Sequence, residues 1–256
     1  MKKIVKYISI CLLVLFSFYY TNLVSQIFIN NSPIMKSINE YKMEYEEQYV
    51  NAVINNTYII PGINGIEVDK LNSYYEMKKE DAFNKDLFVL KEIKPETSYY
   101  NHLDLIITKG NPVKNSISIL VNNNIDILKY LKNNKIVFNR LVDIQTVLET
   151  TYYQQINNDF LHYEEVEKVL DNNKNNTNIC IVNNDNIEFC KDYGKYLVKP
   201  IIVKNNDYLI YKNIESGAIL LIDDNLSLSK FKLLLKRISF LNLNIVYLDY
   251  LISESR

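Results

Sequence analysis

The spacing of apolar and polar residues changes along the chain, most clearly between residues 116 and 134. Residues 116–121 form a short apolar run rich in β-branched side chains, which predicts a buried strand. A turn cluster of three asparagines, Asn122, Asn123 and Asn124, follows this run. Apolar residues then recur at helical spacing, at Ile125, Ile127, Leu128 and Leu131. The pattern predicts a strand, a turn and a helix.

The same alternation continues along the rest of the sequence. Further strands are predicted at 135–138, 178–182, 196–199, 218–222 and 244–247. Further helices are predicted at about 143–153, 160–170, 185–193 and 228–240. Strands that alternate with helices pair in parallel through crossover connections, so this pattern predicts an α/β fold with a parallel sheet or barrel.

The first 27 residues carry a membrane signal. Lys2, Lys3 and Lys6 precede an uncharged apolar run over 7–24, which as a helix is long enough to cross about 30 Å of hydrocarbon. Lysines favour the cytoplasmic side, so the remaining chain is expected outside the cytoplasm as part of a single-pass protein of the cell membrane. A cleaved signal peptide is the alternative; no small-x-small site follows the run, so an uncleaved anchor is favoured.

Residues 28–57 are expected to form a helical stalk. Apolar residues recur at helical spacing over 34–53, with glutamates between them, which predicts an amphipathic helix. Its apolar face is expected either to mediate self-association or to rest on the protein's own domain.

Residues 58–112 are expected to form a small adaptor that packs on the main domain, 113–256. Pro61, Gly62, Asn64 and Gly65 predict a turn in which glycine and asparagine adopt positive φ. A short helix is predicted at 73–79, with Asn72 or Ser73 as its N-cap, and a strand at 88–93.

Composition and cysteine spacing argue against some classes of function. The 256 residues carry a net charge of −1 and no basic cluster, so nucleic acid is not an expected partner. Cys11, Cys180 and Cys190 match no metal-binding spacing. Cys180 and Cys190 can form a disulfide if the domain lies outside the cell, whereas two buried free thiols are the favoured interpretation.

Several polar residues outside the asparagine turn are candidate sites. His162 and Glu165 lie on one helical face and can begin a metal site, although a solvated charged face is favoured. His102 with Asp104 matches no site geometry. Asp223 and Asp224 follow a predicted strand, where they can bind a cation or sugar hydroxyls, and helix capping before Leu226 is the competing role.

Four segments resemble motifs of the polysaccharide deacetylases, the family with the NodB-homology domain. Ile119-Leu-Val-Asn-Asn-Asn124 is similar to the first-strand motif that ends in Asp-Asp-Gly, and Asn134-Lys-Ile-Val-Phe138 resembles the second strand. Ser216-Gly-Ala-Ile-Leu-Leu-Ile-Asp223 resembles a late strand motif that ends in histidine. Residues 243–251 resemble the closing strand and short helix. The segments around 61–65 and 91–95 also resemble the region ahead of the deacetylase domain in membrane-anchored members.

The resemblance implies a shortened, distorted, NodB-like β/α barrel and a site where zinc chemistry takes place in the family. There, an aspartate and the two histidines of an H-x-x-x-H motif hold the metal, a second aspartate is the base and a late histidine the acid. In this chain the two aspartate positions carry Asn122 and Asn123, and the late histidine position carries Asp223. No H-x-x-x-H occurs, since the histidines are His102 and His162.

The sequence therefore predicts a pseudo-deacetylase module of the cell envelope, anchored in the membrane through 7–24, with no catalytic residue and no cofactor. It is expected to bind glycan or a protein partner, with Asn122, Asn123, Asp223 and Asp224 as the binding residues. The alternative is an active N-deacetylase in which His162, Glu165 and Asp223 replace the lost ligands of zinc or another divalent metal. A third possibility is a scaffold assembled through the helix at 34–53.

Overall fold

The structure is a computed structural model that describes residues 2–142, 153–157, 178–182, 186–192, 194–206 and 214–256. The predicted helices at 160–170 and over most of 143–153 lie outside these residues. The chain divides into two compact units: Met1–Gln48 with Gly65–Ile93, and Tyr49–Asn64 with Lys94–Arg256. The divisions predicted after residues 27, 57 and 112 stay predictions.

The elements are numbered in chain order. The helices are α1 (Lys2–Asn31), α2 (Pro33–Tyr41), α3 (Lys70–Glu80), α4 (Ile125–Asn133), α5 (Ile187–Asp192), α6 (Leu228–Phe240) and α7 (Leu248–Ile252). The strands are β1 (Val53–Asn55), β2 (Tyr58–Ile60), β3 (Gly65–Val68), β4 (Leu90–Ile93), β5 (Ile106–Ile107), β6 (Ser116–Val121), β7 (Phe138–Val142), β8 (Tyr153–Asn157), β9 (Ile179–Ile181), β10 (Tyr196–Val198), β11 (Ile201–Val203), β12 (Ile219–Ile222) and β13 (Asn244–Ile245). Short 3₁₀ helices cover Lys42–Glu44, Lys85–Leu87, Tyr99–Asn101 and Pro112–Lys114.

The first unit begins with α1, which contains the predicted apolar run. Its segment Ile10–Asn31 is long and apolar enough to cross a membrane, judged by length and composition. Large side chains such as Leu13, Phe16 and Phe18 are exposed along it. The helix is therefore long and apolar enough for a membrane span, and its insertion and orientation stay predictions.

The helix predicted over 34–53 is shorter in the structure. It begins after the cap Ser32 and ends at Tyr41, because the following backbone pairs with an extended segment: the Glu47 amide donates to the Ile66 carbonyl at 2.8 Å. The apolar residues of α2, among them Ile38, pack against α3 and the β3–β4 hairpin. The helix predicted from apolar spacing is thus confirmed for α2 and wrong for the residues after it. Their conformation is determined by pairing with a segment distant in sequence.

The predicted turn and helix cap of the adaptor segment also differ from the structure. The cap of α3 is Asp69, whose side chain accepts from the Asn72 amide at 3.1 Å, so the helix begins three residues before the predicted start. Ser73 is buried, and its hydroxyl accepts from the Val89 amide. Gly62 does not adopt positive φ. Glycine is required at position 62 because a Cβ there would lie 2.4 Å from the Val50 carbonyl oxygen.

The described strands of the second unit form two sheets. The order of one is β1-β2-β5-β10-β9, in which β1 is antiparallel to β2 and the other neighbours are parallel. The other has the order β11-β12-β6-β7-β8, all parallel, and β13 also pairs with β6. The predicted α/β class with parallel pairing is confirmed. The described strands lie in separate sheets, so closure into a barrel stays a prediction.

Some strand boundaries were predicted wrongly. The second strand, predicted at 135–138, begins at Phe138, because the backbone after α4 still turns: Lys135 has φ +54° and the Ile136 amide donates to the Leu131 carbonyl. Tyr153, predicted to end a helix, begins β8, which pairs with β7. The edge strand β11 was not predicted.

Strand β6 lies at the centre of the core, and every one of its residues is buried. Ile117, Ile119 and Val121 pack on one face with residues of α4 and α6. Leu120 packs on the other face with residues of the first sheet, such as Ile107 and Val198. Burial of each such side chain stabilises the fold by roughly 1.5–3 kcal/mol.

A buried asparagine connects three elements of this core. Asn139 on β7 is fully buried, and its Nδ2 donates to Ser118 Oγ at 2.7 Å and to the Ile119 carbonyl at 3.1 Å. Its Oδ1 accepts from the Leu248 amide at 3.0 Å. Tyr247, the N-cap residue of α7, makes no side-chain capping bond. Asn139 therefore caps α7 from a distant strand and also joins β7 to β6.

Replacing Asn139 should measure how much its hydrogen bonds contribute to the stability of the fold. We expect Asn139→Leu to lower the free energy of unfolding by about 2–4 kcal/mol, because the Ser118 hydroxyl and the Leu248 amide lose their buried partner. Urea unfolding followed by circular dichroism measures the change. Asn101→Leu, at an exposed amide, should stay within about 0.5 kcal/mol of the parent. Equal stability of the two variants would contradict this role.

Candidate functional site

The candidate site lies where β6 and β12 end. The two strands are parallel, and Val121 stands opposite Ile222. Asn122 and Asp223, which follow these residues, therefore leave the sheet at the same edge. The backbone amide of Asn123 donates to Asp224 Oδ1 at 3.0 Å. The structure thus brings together the four residues that the sequence singled out, from segments 100 positions apart.

Asn124 holds the two loops in place. Its Oδ1 accepts from the Ile127 amide at 3.2 Å, which makes it the N-cap of α4. Its Nδ2 donates to the carbonyls of Asp224 at 2.9 Å and Leu226 at 3.0 Å. The side chain is buried, so it does not face a ligand. The sequence placed Asn124 in the turn but did not identify its capping role, although its position directly before a helical pattern was the available signal.

The two aspartates shape the opposite loop. Asp223 Oδ1 accepts from the Asn225 amide at 2.9 Å, and the Asp223 carbonyl accepts from the Leu226 amide at 3.0 Å. Helix α6 is capped by Ser227, whose hydroxyl accepts from the Lys230 amide. The alternative role of Asp223 and Asp224 as helix caps is therefore wrong, since these residues form the turn that precedes the cap.

Asn205, which follows β11, was missed by the sequence analysis. Its Nδ2 donates to the Asn225 carbonyl at 2.7 Å, and its Oδ1 accepts from the Ser227 amide at 2.9 Å. A third loop thus borders the site. Because β11 was not predicted, nothing in the sequence pattern marked Asn205, two positions after the strand, as part of a loop at a strand end.

Two side-chain amides remain open at this edge. Asn122 is half-buried and Asn123 is exposed. Within the described part of the chain, neither side chain has a hydrogen-bond partner. Amides donate and accept hydrogen bonds but do not ionise, so they neither take up a proton near neutral pH nor offer a metal an anionic ligand. This arrangement suits recognition of polar groups such as hydroxyls.

The zinc that the deacetylase resemblance implies does not fit the residues at this edge. Asn122 and Asn123 stand where the resemblance places the aspartates, and Asp224 already accepts from a backbone amide. Among the described residues, no group of three or more His, Cys, Asp or Glu side chains is placed to hold a metal ion. His162 and Glu165 lie outside those residues, so their approach to Asp223 stays a prediction. His102 and Asp104 precede β5, in the other sheet.

The cysteine prediction needs correction. Strand β9 and helix α5 bring Cys180 and Cys190 to a Cα separation of 6.1 Å, and a disulfide joins them. Both residues are fully buried, as the favoured free-thiol interpretation expected, but that interpretation is wrong about the bond. The two cysteines are ten positions apart in the sequence, which is enough for the strand and helix to pack side by side.

Substitutions in the asparagine turn should separate structure from recognition. We expect Asn124→Ala to lower the free energy of unfolding by about 2–3 kcal/mol, since the α4 cap and two donors to the Asp224–Leu226 loop are lost. Asn123→Ala should change it by no more than about 0.5 kcal/mol, because only the backbone of Asn123 is used. Urea unfolding measures both changes, and equal losses would contradict the assignment.

Comparisons with known proteins bear on the fold. No protein-family model matches the chain. A protein of Bacillus subtilis (strain 168) named "Uncharacterized protein YlxY" is 31% identical over 94 residues, which are 36% of this chain. The chain spans 30% of that relative's length.

Solved structures resemble the chain over a larger part of its length. The crystal structure of wild-type BA3943, a CE4 family pseudoenzyme from Bacillus anthracis, is 17% identical with a TM-score of 0.56, and the match covers 88% of this chain and 97% of that one. A BA3943 mutant, described as a CE4 family pseudoenzyme with restored enzymatic activity, is 16% identical with a TM-score of 0.56, over 88% and 100%. The chain therefore has the fold of the CE4 polysaccharide deacetylases, in a divergent, NodB-like form.

Proposed function

We propose that this protein is a pseudo-deacetylase, a deacetylase-fold module that binds glycan of the cell envelope without hydrolysing it. The observation that carries the proposal is the pair of amides at the end of β6, where the resemblance places the catalytic aspartates. Asn122 and Asn123 are open at the strand ends, whereas the neighbouring Asn124 and Asp223 build the loops. The scaffold of the site is kept, and amides stand where the resemblance places the catalytic aspartates.

Similarity to BA3943 supports this interpretation. That protein is described as a CE4 family pseudoenzyme, and its likeness covers most of this chain. Loss of catalysis with retention of the fold therefore has a parallel in a protein of similar structure. The alternative, an N-deacetylase with His162, Glu165 and Asp223 as substitute ligands, gains no support from any observation within the described part of the chain.

The chemistry of the open edge supports glycan as the ligand. Amide groups pair with hydroxyls and with the acetamide of an N-acetylated sugar through donor and acceptor together. The second oxygens of the Asp223 and Asp224 carboxylates add acceptors beside the two amides. Asp224 and Asn123 are exposed, so a sugar reaches these groups without displacing the core.

Two features support placement outside the cytoplasm. Helix α1 has the length and apolar composition of a membrane span, and Lys2, Lys3 and Lys6 precede the apolar run. The Cys180–Cys190 disulfide suits an oxidising compartment. The module is thus held at the cell membrane through residues 7–24, with its deacetylase-like unit facing the envelope.

Binding of chitooligosaccharides and soluble peptidoglycan fragments tests the proposal. The full chain in phosphatidylcholine nanodiscs should bind them, and Asn122→Ala and Asn123→Ala should each weaken binding about tenfold through loss of a hydrogen-bonding group. Asn101→Ala, an exposed amide before β5, is the matched control and should bind like the parent. Isothermal titration calorimetry measures the affinities.

Two results would contradict the proposal. One is absence of binding by a folded sample. The other is equal affinity of the Asn122, Asn123 and Asn101 variants, which would place glycan recognition elsewhere on the protein.

A further inference from the structure

A cavity of about 530 Å³ lies where the chain passes from β10 to β11, and so from one sheet to the other. It is lined by residues at the start of β12, such as Ala218 and Leu220. Asp223 and Asp224 follow the other end of the same strand. The cavity is thus separate from the candidate glycan site, and its volume lies within the range of small-molecule sites.

The floor of the cavity is apolar. Ile201 stands opposite Leu220 in the β11–β12 register, so the two side chains share one face of the sheet. Leu220 is fully buried and Ile214 and Ala218 nearly so, whereas Ile201 is 44% exposed. Tyr58 adds an aromatic wall. A ligand that covers this floor would remove the exposed part of Ile201 from water.

The rim of the cavity is cationic. Lys109 Nζ lies 2.7 Å from Glu215 Oε1, so this pair is neutral overall. Lys199 is exposed and has no ion pair among the described residues. Its backbone amide donates to the Ile107 carbonyl at 2.9 Å, which fixes the position of the residue beside the cavity. The two lysines and one glutamate leave one positive charge next to an apolar floor.

We propose that this cavity binds a small amphipathic anion, with a short alkyl or aryl tail on the Ile201–Leu220 floor and a carboxylate or phosphate head at Lys199. The apolar floor selects the tail, because burial of apolar surface gives most of the affinity in such sites. Lys199 selects the charge of the head. This activity is independent of the proposed glycan binding.

Photolabelling with a diazirine-bearing octanoate tests the cavity in the full chain, held in phosphatidylcholine nanodiscs. Mass spectrometry should locate the label on peptides that contain Ile201 or Leu220, and octanoate should compete for it. Octyl phosphate should compete as well as octanoate, since both present an anionic head. Octanol and inorganic phosphate, which lack the head or the tail, should each compete at least about tenfold less well.

Strand β11 offers matched controls for both parts of the site. Ile201 and Ile202 are 44% and 46% exposed, but only Ile201 lines the cavity. We expect Ile201→Asn to weaken octanoate competition about tenfold and Ile202→Asn to leave it unchanged. Lys199→Gln should weaken it by a similar factor, while Lys204→Gln, a change at an exposed lysine beyond the other end of β11, should not.

Three results would overturn the proposal. The first is equal behaviour of Ile201→Asn and Ile202→Asn, or of the two lysine variants, in samples that remain folded. The second is octanol competing as well as octanoate, which would remove the role of the charge. The third is labelling confined to α1, which would mean that the probe only partitions into the membrane.

Discussion

The parallel pairing of β6 with β12 is the constraint on which the rest of this structure depends. Leu120 and Val121 stand opposite Leu221 and Ile222, and each strand is held from both faces by buried side chains. A slip of one residue would exchange the two faces of β6 and place Ser116 and Ser118 in the apolar cluster that Ile117 and Ile119 now fill, so the register is strongly specified. Because the strands end together, two loops distant in sequence form one surface.

Buried polar groups then fix the positions of loops and helices relative to the strands, which apolar packing alone does not determine. Asn124 joins the loops after β6 and β12, and Asn139 joins β7 to β6 and to α7. Glu254 acts in the same way: its buried carboxylate accepts from the amides of Gly62 and Tyr99 and from the Ser98 hydroxyl. These groups stabilise one arrangement because each would lose a partner in any other. None of them needs to be a catalytic group for the fold to persist.

The sequence predicts the elements that have strong local periodicity. Its predictions fail where pairing with a distant segment determines the backbone conformation. Helix α6 has the predicted bounds, 228–240, because its apolar stripe and its N-cap are local signals. The helix expected over 34–53 ends at Tyr41, since the later residues pair with an extended segment instead. The edge strand β11 was missed because its three residues are held extended by pairing with the distant β12, which leaves no local signal.

Within the site, local sequence does not separate three adjacent asparagines. Asn124 is buried and structural, whereas Asn122 and Asn123 keep open amides, and the difference arises from the loop that follows β12. The prediction that these loops belong to one site rested on the family resemblance and on their positions after predicted strands, and the structure brings the named residues together at one edge of the sheet. Whether they bind glycan stays a proposal.

The most direct test of the central claim is release of acetate from N-acetylated peptidoglycan and chitooligosaccharides by the full chain. The assay is run with added zinc or cobalt and with a chelator, on a sample shown to be folded by circular dichroism. The account predicts no acetate above the protein-free blank in any condition, because amides stand where the family resemblance places the catalytic carboxylates. Chelator-sensitive acetate release would contradict it.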